Sequence, residues 1–174
     1  NNNIYIIPFK ITRPQLIKIY DLNFSFKEDI YLDKPNYLSN FCICENKIYW
    51  FGDDNIYIYD FNKKNIILET SFEYPTSCCM CIYRDLLYTF DSLNDILKIF
   101  STCNNKILLE QSFDTKLISN YIRYPYNIFV DKYFIYILSN NSITILYHDV
   151  TLFKFINIDN NGLCINKNKL YILN

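Results

Sequence analysis

The chain has 174 residues, with 17 basic and 18 acidic side chains and a net charge of −1, so it lacks the basic excess of a sequence-independent nucleic-acid binder. It is 51% hydrophobic and 18% aromatic, enough for a sizeable core and too apolar for a disordered chain. No apolar run approaches the ~20 residues that span a bilayer, and no basic-then-apolar leader is seen, so no membrane insertion is expected and any targeting signal is either absent or already removed.

Alanine is missing, there are two glycines, and Asn, Ile, Lys, Tyr and Phe dominate. The bias resembles AT-rich coding sequence, so Asn and Lys clusters in turns carry little weight. Loss of the best helix former and abundance of β-branched and aromatic residues lean the chain towards strands.

In chain order, the first predicted strands lie around Ile4-Tyr5 and over Ile17 to Asp21. A second group follows at 38–44, 47–51, 55–61 and 65–71, with Gly52-Asp53-Asp54 and Asn62-Lys63-Lys64 as turns. A third lies at 77–83, 86–90, 96–101 and 106–113, and a fourth at 127–130, 133–138, 142–147 and 151–158. The chain closes on two strands near 163–165 and 169–173. Within 55–61, Ile56 and Ile58 alternate with Tyr57 and Tyr59, the period of a strand. Pro35, Pro75 and Pro125 each stand a few residues before the first strand of a group, where proline stops the preceding strand from running on.

These groups are copies of one unit. Ile17-Lys18-Ile19-Tyr20-Asp21 returns as Ile56-Tyr57-Ile58-Tyr59-Asp60, as Leu97-Lys98-Ile99-Phe100 and as Ile143-Thr144-Ile145-Leu146, at steps of 39, 41 and 46 residues. NIILETSF (65–72) and KILLEQSF (106–113) are near copies 41 residues apart. A period of about 40–45 residues holding several short strands marks propeller blades. The expected fold is all-β, a β-propeller of ~40-residue four-stranded blades. About four blades are present, over 1–34, 35–74, 75–124 and 125–160, with another starting at 161–174. The first lacks its innermost strand and the last stops after two, so one partial propeller, an incomplete ring, is expected; further chain or a partner subunit would supply the rest.

The endings IKIYDL, IYIYDF and LKIFST resemble those of WD-repeat propellers, with Tyr20, Tyr59 and Phe100 where Trp is usual; NHL-type propellers are close behind. The resemblance implies that Asp54, Asp95 and Asn141, two residues before Ile56, Leu97 and Ile143, buttress the turn between the second and third strands. The Gly-His pair that usually precedes the innermost strand is absent. The family also implies that the connections between blades share one face with those turns, and that this face is often the binding face.

Seven cysteines are present. Counting back six residues from Ile48, Leu87, Ile135 and Leu170 gives Cys42, Cys81, Phe129 and Cys164, one position in four repeats. Equivalent positions of neighbouring blades lie roughly 10 Å apart, beyond the ~7 Å a disulfide tolerates. Buried, reduced, core-filling cysteines are expected, and with them an intracellular compartment, the cytoplasm first and the nucleus second. No zinc spacing, paired carboxylates or phosphate-cradling glycine loop occurs, so no catalytic residue, metal or cofactor is expected. Trp50 reads as core, and His148 as a turn residue.

The longest connection between blades, from Asp114 to Pro125, carries Lys116, Tyr121, Arg123 and Tyr124. Tyr and Arg combine contact area with directional hydrogen bonds, which makes this insertion the candidate partner site; Arg13 is a weaker candidate on the same face. The expected function is a non-catalytic scaffold for other proteins inside a larger intracellular assembly. The alternatives are a propeller enzyme or small-ligand binder using the central channel, and a secreted surface propeller with disulfides.

Overall fold

A computed structural model describes residues 3–6, 15–32, 40–52, 55–71, 77–103, 106–122, 125–158, 162–166 and 169–173. The chain divides into two compact units, Asn1–Glu73 and Tyr74–Asn174. In the first, β1 (Asn3–Ile6), β2 (Gln15–Asp21) and β3 (Phe26–Leu32) form a three-stranded meander. Beyond it lies a four-stranded meander of β4 (Asn40–Cys44), β5 (Lys47–Gly52), β6 (Asn55–Asp60) and β7 (Asn65–Ser71).

The second unit holds two more four-stranded sheets. One is β8 (Ser77–Tyr83), β9 (Leu86–Asp91), β10 (Ile96–Ser101) and β11 (Leu108–Asp114). The other is β12 (Pro125–Val130), β13 (Phe134–Ser139), β14 (Ser142–Tyr147) and β15 (Leu152–Asn157). The hairpin of β16 (Gly162–Asn166) and β17 (Lys169–Leu173) follows. Every pairing is antiparallel and joins strands consecutive in sequence. Pro125 is the first residue of β12 rather than lying ahead of it, a position where the ladder does not require an N–H.

The repeat extends to register. Cys42, Cys81, Phe129 and Cys164 stand opposite Tyr49, Tyr88, Tyr136 and Tyr171. Between the third and fourth strands the pairing shifts at Ile19/Tyr20, Ile58/Tyr59, Ile99/Phe100 and Ile145/Leu146, the same place in four repeats. An extra residue there raises the local twist.

The core lies between successive sheets within each unit. In the first, Ile17, Ile19, Ile30 and Leu32 pack with Ile48, Trp50, Tyr57 and Tyr59. In the second, Phe90, Leu97 and Ile99 pack with Ile128, Val130, Ile135 and Leu146, and β12 lies beside β8. Full burial of an aliphatic or aromatic side chain stabilises by about 1.5–3 kcal/mol. Trp50 is fully buried and stacked on Tyr57, ring centroids 5.3 Å apart.

The cysteines depart from expectation. Among the described ones only Cys79 is buried; Cys42, Cys44 and Cys81 are half-covered and Cys103 is exposed. Cys42, Cys44 and Cys81 lie on β4 and β8, which end their sheets and each pair with a single strand. All five are thiols, and Cys78 and Cys164 have side chains outside the description.

Turn chemistry explains the recurring aspartate. Asp21 Oδ1 accepts from the N–H groups of Asn23 and Ser25, and Asp60 Oδ1 from those of Asn62 and Lys63, Asx turns that hold the bend after the third strand. With glycine scarce, left-handed backbone falls to Phe24, Glu45, Lys64, Arg84, Asp85, Asp95 and Val150. Val150, β-branched at φ 65°, is the most strained of these.

Candidate functional site

A four-stranded meander has two ends. One carries the turns after its first and third strands. The other carries the turn after its second strand and the connection to the next blade. In the second unit this latter end contains the predicted insertion. Its 115–122 segment is not a plain loop: Lys116–Tyr121 is a 3₁₀ helix.

The segment is anchored at both ends and from beneath. At its start the Asp95 carbonyl accepts from the Thr115 N–H (2.8 Å) and the Thr115 hydroxyl (2.6 Å). At its finish the Thr144 hydroxyl donates to the Tyr121 carbonyl at 2.7 Å. Ile122 is buried in the core and Ile118 packs against it. Leu117 is left 96% exposed and Tyr121 40% exposed, so a rigid turn displays an aliphatic and a phenolic side chain.

At the two described positions of the predicted buttress, Asp95 and Asn141, the main-chain carbonyls accept hydrogen bonds. Besides the Asp95 bonds, the Asn141 carbonyl accepts from the Ile158 N–H at 2.7 Å. Each ties the turn to the residue just beyond the outer strand. The carboxylate that organises the third blade's turn is Asp91. Its Oδ1 accepts from the Leu93 and Asn94 N–H groups, and its Oδ2 lies 3.6 Å from Lys98 Nζ. Asp54 lies outside the described residues, as do Arg13, Arg123 and Tyr124.

Of the partner candidates, Lys116 is exposed and pairs with Asp114, Nζ to Oδ2 at 3.6 Å, a surface contact of little energetic weight. Tyr121 stands on a cleft of about 460 Å³, facing Phe155 with ring centroids 5.0 Å apart and planes tilted by 52°. Asn120, Asn140, Asn141 and Asn157, all exposed, complete the lining with buried Ser142. Among the described residues no charged one lines it. The structure therefore brings Tyr121 and Asn141 to one cleft. Phe155 and the other asparagines were invisible to sequence reasoning, because asparagine is common throughout the chain.

The opposite end holds a cluster that resembles catalytic chemistry. Asp131 Oδ1 accepts from the Tyr133 and Phe134 N–H groups, Oδ2 accepts from the Tyr136 hydroxyl at 3.0 Å, and His148 Nε2 lies 3.0 Å from the Asp131 carbonyl. Burial first, then the Asp131 hydrogen bond, push the Tyr136 phenol up to about 12, too high for proton transfer near neutral pH. The cluster fastens the turn between β12 and β13. Among the described residues no three His, Cys, Asp or Glu side chains gather to hold a metal, and no helix is long and apolar enough to cross a membrane.

No protein-family model and no curated protein matches the chain. Solved propellers match its fold. The Neurospora crassa Pan2 WD40 domain superposes with a TM-score of 0.64 at 13% identity, covering 90% of this chain and 46% of that one. Kluyveromyces marxianus Hsv2 gives 0.58 at 10% identity, covering 93% and 47%. A chain of the S. cerevisiae assembly of Dbp5 bound to Nup159, Gle1, IP6 and ADP gives 0.56 at 11% identity, covering 90% and 45%. The fold is a WD-like β-propeller, and the chain spans about half the length of these solved chains.

Proposed function

We propose that the chain is a non-catalytic propeller platform that docks other proteins through the end of its blades carrying the 115–122 segment, inside a larger assembly in the cytoplasm or nucleus. The observation that carries this reading is the anchored 3₁₀ segment, which displays Leu117 and Tyr121 beside a cleft. Apolar and phenolic side chains on a rigid support make contacts at low entropic cost. Matched propellers support the direction, since one belongs to a solved assembly with other proteins. Arg123 and Tyr124 belong to the same docking face in this reading, and Arg13, in the first unit, is a weaker candidate. Blades at 1–34, 35–74, 75–124 and 125–160 would be completed by further chain or a partner subunit.

The test is affinity purification of the native full-length protein beside a Tyr121→Ala/Arg123→Ala/Tyr124→Ala variant. A stoichiometric protein held by the wild type and lost by the variant is expected. A lone monomer in both samples would overturn the reading and turn attention to small ligands in a central channel.

A further inference from the structure

We infer that the open half of one face of the fourth blade, built on Phe134, Tyr147 and Phe153, docks a β-hairpin of another protein, which lays aliphatic side chains on the three rings and an acidic one beside Lys132. This surface lies at the end of the blade opposite the 115–122 segment and is independent of it, so its partner is a second one.

Here the fourth blade departs from the repeat. The pair that ends the ladder between second and third strands is Asn3 with Asp21, then Lys47 with Asp60, then Leu86 with Ser101, and in the fourth blade Phe134 with Tyr147. The residue skipped at the bulge is Lys27, Ile67, Glu110 and, last, Phe153. A bulge re-aims the side chain it carries. Phe153 lies over Phe134 with ring centroids 4.7 Å apart and meets Tyr147 at 5.2 Å, and Phe134 meets Tyr147 at 5.5 Å. Three positions that are largely polar elsewhere thus form one aromatic triad, with Tyr147 43% and Phe153 47% exposed. The sheet does not need rings there, since the other blades form without them.

What packs at this place is visible one blade earlier. Ile135, Ile137 and Leu146 belong to the core shared with the third blade, so by alternation Phe134, Tyr136, Ile145 and Tyr147 lie on the other face. The matching face of the third blade is covered, with Tyr88, Phe90, Leu97 and Ile99 buried in that core. Leu86, the counterpart of Phe134, packs against the same core, as do Val150 and Leu152. Those two come from the turn between β14 and β15 and from the first residue of β15. A third-to-fourth-strand hairpin therefore lays aliphatic side chains towards this part of a neighbouring sheet, and the triad offers the equivalent place to a hairpin of the same kind.

Charge selects the partner. Lys132 Nζ stands 4.3 Å over the Tyr133 ring, and Lys154 follows Phe153 on β15. Both are exposed, and neither makes an ion pair with a described residue. The acids of this end are engaged within their own turns, Asp131 by two amides and the Tyr136 hydroxyl, Asp149 by the amide and hydroxyl of Thr151. Two cations bordering the rings favour a hairpin that carries a carboxylate beside its aliphatic residues. They disfavour a second copy of this chain, because a self-complementary contact would set like charges together.

The probe is a library of short backbone-cyclised β-hairpins, randomised at the turn and second strand and panned against the full-length protein. Hairpins with Val, Ile or Leu beside Asp or Glu are expected. Phe134→Leu/Tyr147→Ser/Phe153→Glu installs the residues of the third blade, which a sheet of this kind accommodates, and should bind the selected hairpins about thirtyfold more weakly. Lys132→Glu leaves the triad intact and should select hairpins with Lys or Arg in place of the acid. Tetranitromethane should nitrate Tyr147 in the free protein, and a selected hairpin should block it. Equal affinity for the wild type and the triad variant would overturn the inference, as would enrichment of basic or uncharged hairpins alone. So would a Tyr147 that resists nitration in the monomer, where the protein's own chain covers the face, or one shielded only as the protein dimerises, where a second copy does. The Tyr121→Ala/Arg123→Ala/Tyr124→Ala variant should bind the hairpins as the wild type does, so the two docking surfaces stand or fall separately.

Discussion

Replacing Trp50 with alanine is expected to destabilise the first unit by about 3–5 kcal/mol, the usual cost of emptying a large aromatic site in a packed core. Single domains are stable by only about 5–15 kcal/mol, so the variant would be largely unfolded at moderate urea. The argument is geometric. Trp50 is completely buried between β2–β3 and its own sheet, with Ile17, Leu32 and Ile48 in the same cluster and Tyr57 stacked at 5.3 Å. Its indole N–H has no hydrogen-bond partner among the described residues, so phenylalanine would lose packing but no hydrogen bond. Trp50→Phe should therefore cost under about 1.5 kcal/mol. Urea denaturation followed by far-ultraviolet circular dichroism compares the two. Equal damage from both variants would contradict this account of the core.

The second large effect is expected at Asp91. Its side chain is almost fully buried, caps two turn amides, accepts from Asn94 Nδ2 at 3.0 Å and faces Lys98. Asp91→Ala strips the Lys98 ammonium of that carboxylate and takes the acceptor from both amides. Losing one partner of a buried pair costs about 3–5 kcal/mol. Lys98 keeps part of its side chain in water, so the lower end of that range is expected. Asp91→Asn retains an acceptor for the turn and should cost less. Lys98→Met added to Asp91→Asn should recover part of the loss, because an apolar pair replaces a half-broken ionic one. Denaturant midpoints would read the order Ala, then Asn, then the double variant. A double variant worse than either single one would show that the Lys98 contact matters little. The Asp91 turn lies at the same end of the blades as the docking segment, so loosening it should also reduce partner retention.

Much of the strand plan was legible because each signal was local. Alternation over Ile56 to Tyr59, aspartates ending the third strands and short polar turns point to the same element, and their copies about 40 residues on confirm it. The common position of Cys42, Cys81, Phe129 and Cys164 could be counted, and the ladders place all four opposite tyrosine. The burial of Cys42 and Cys81 could not be counted, since it depends on how their strands are covered in three dimensions. The recurring bulge between third and fourth strands adds one residue without changing the apolar pattern, so nothing in composition marks it. KLISNY has no helical period, and its 3₁₀ form follows from its anchors at Thr115 and Tyr121. The candidate cleft was hidden for a different reason. Its specific groups are asparagines, and in a chain this rich in asparagine only three-dimensional convergence distinguishes four of them from the rest.

The most direct measurement of the central claim is amide hydrogen exchange on the full-length protein with and without the protein that co-purifies with it. The account predicts protection concentrated at 115–122, 140–142 and 155–158. The opposite ends of the same sheets, at 84–85, 131–133 and 148–150, should exchange at unchanged rates. Protection confined to those opposite ends would contradict it, and would move the docking face to the side where Asp131, Tyr136 and His148 fasten their turn.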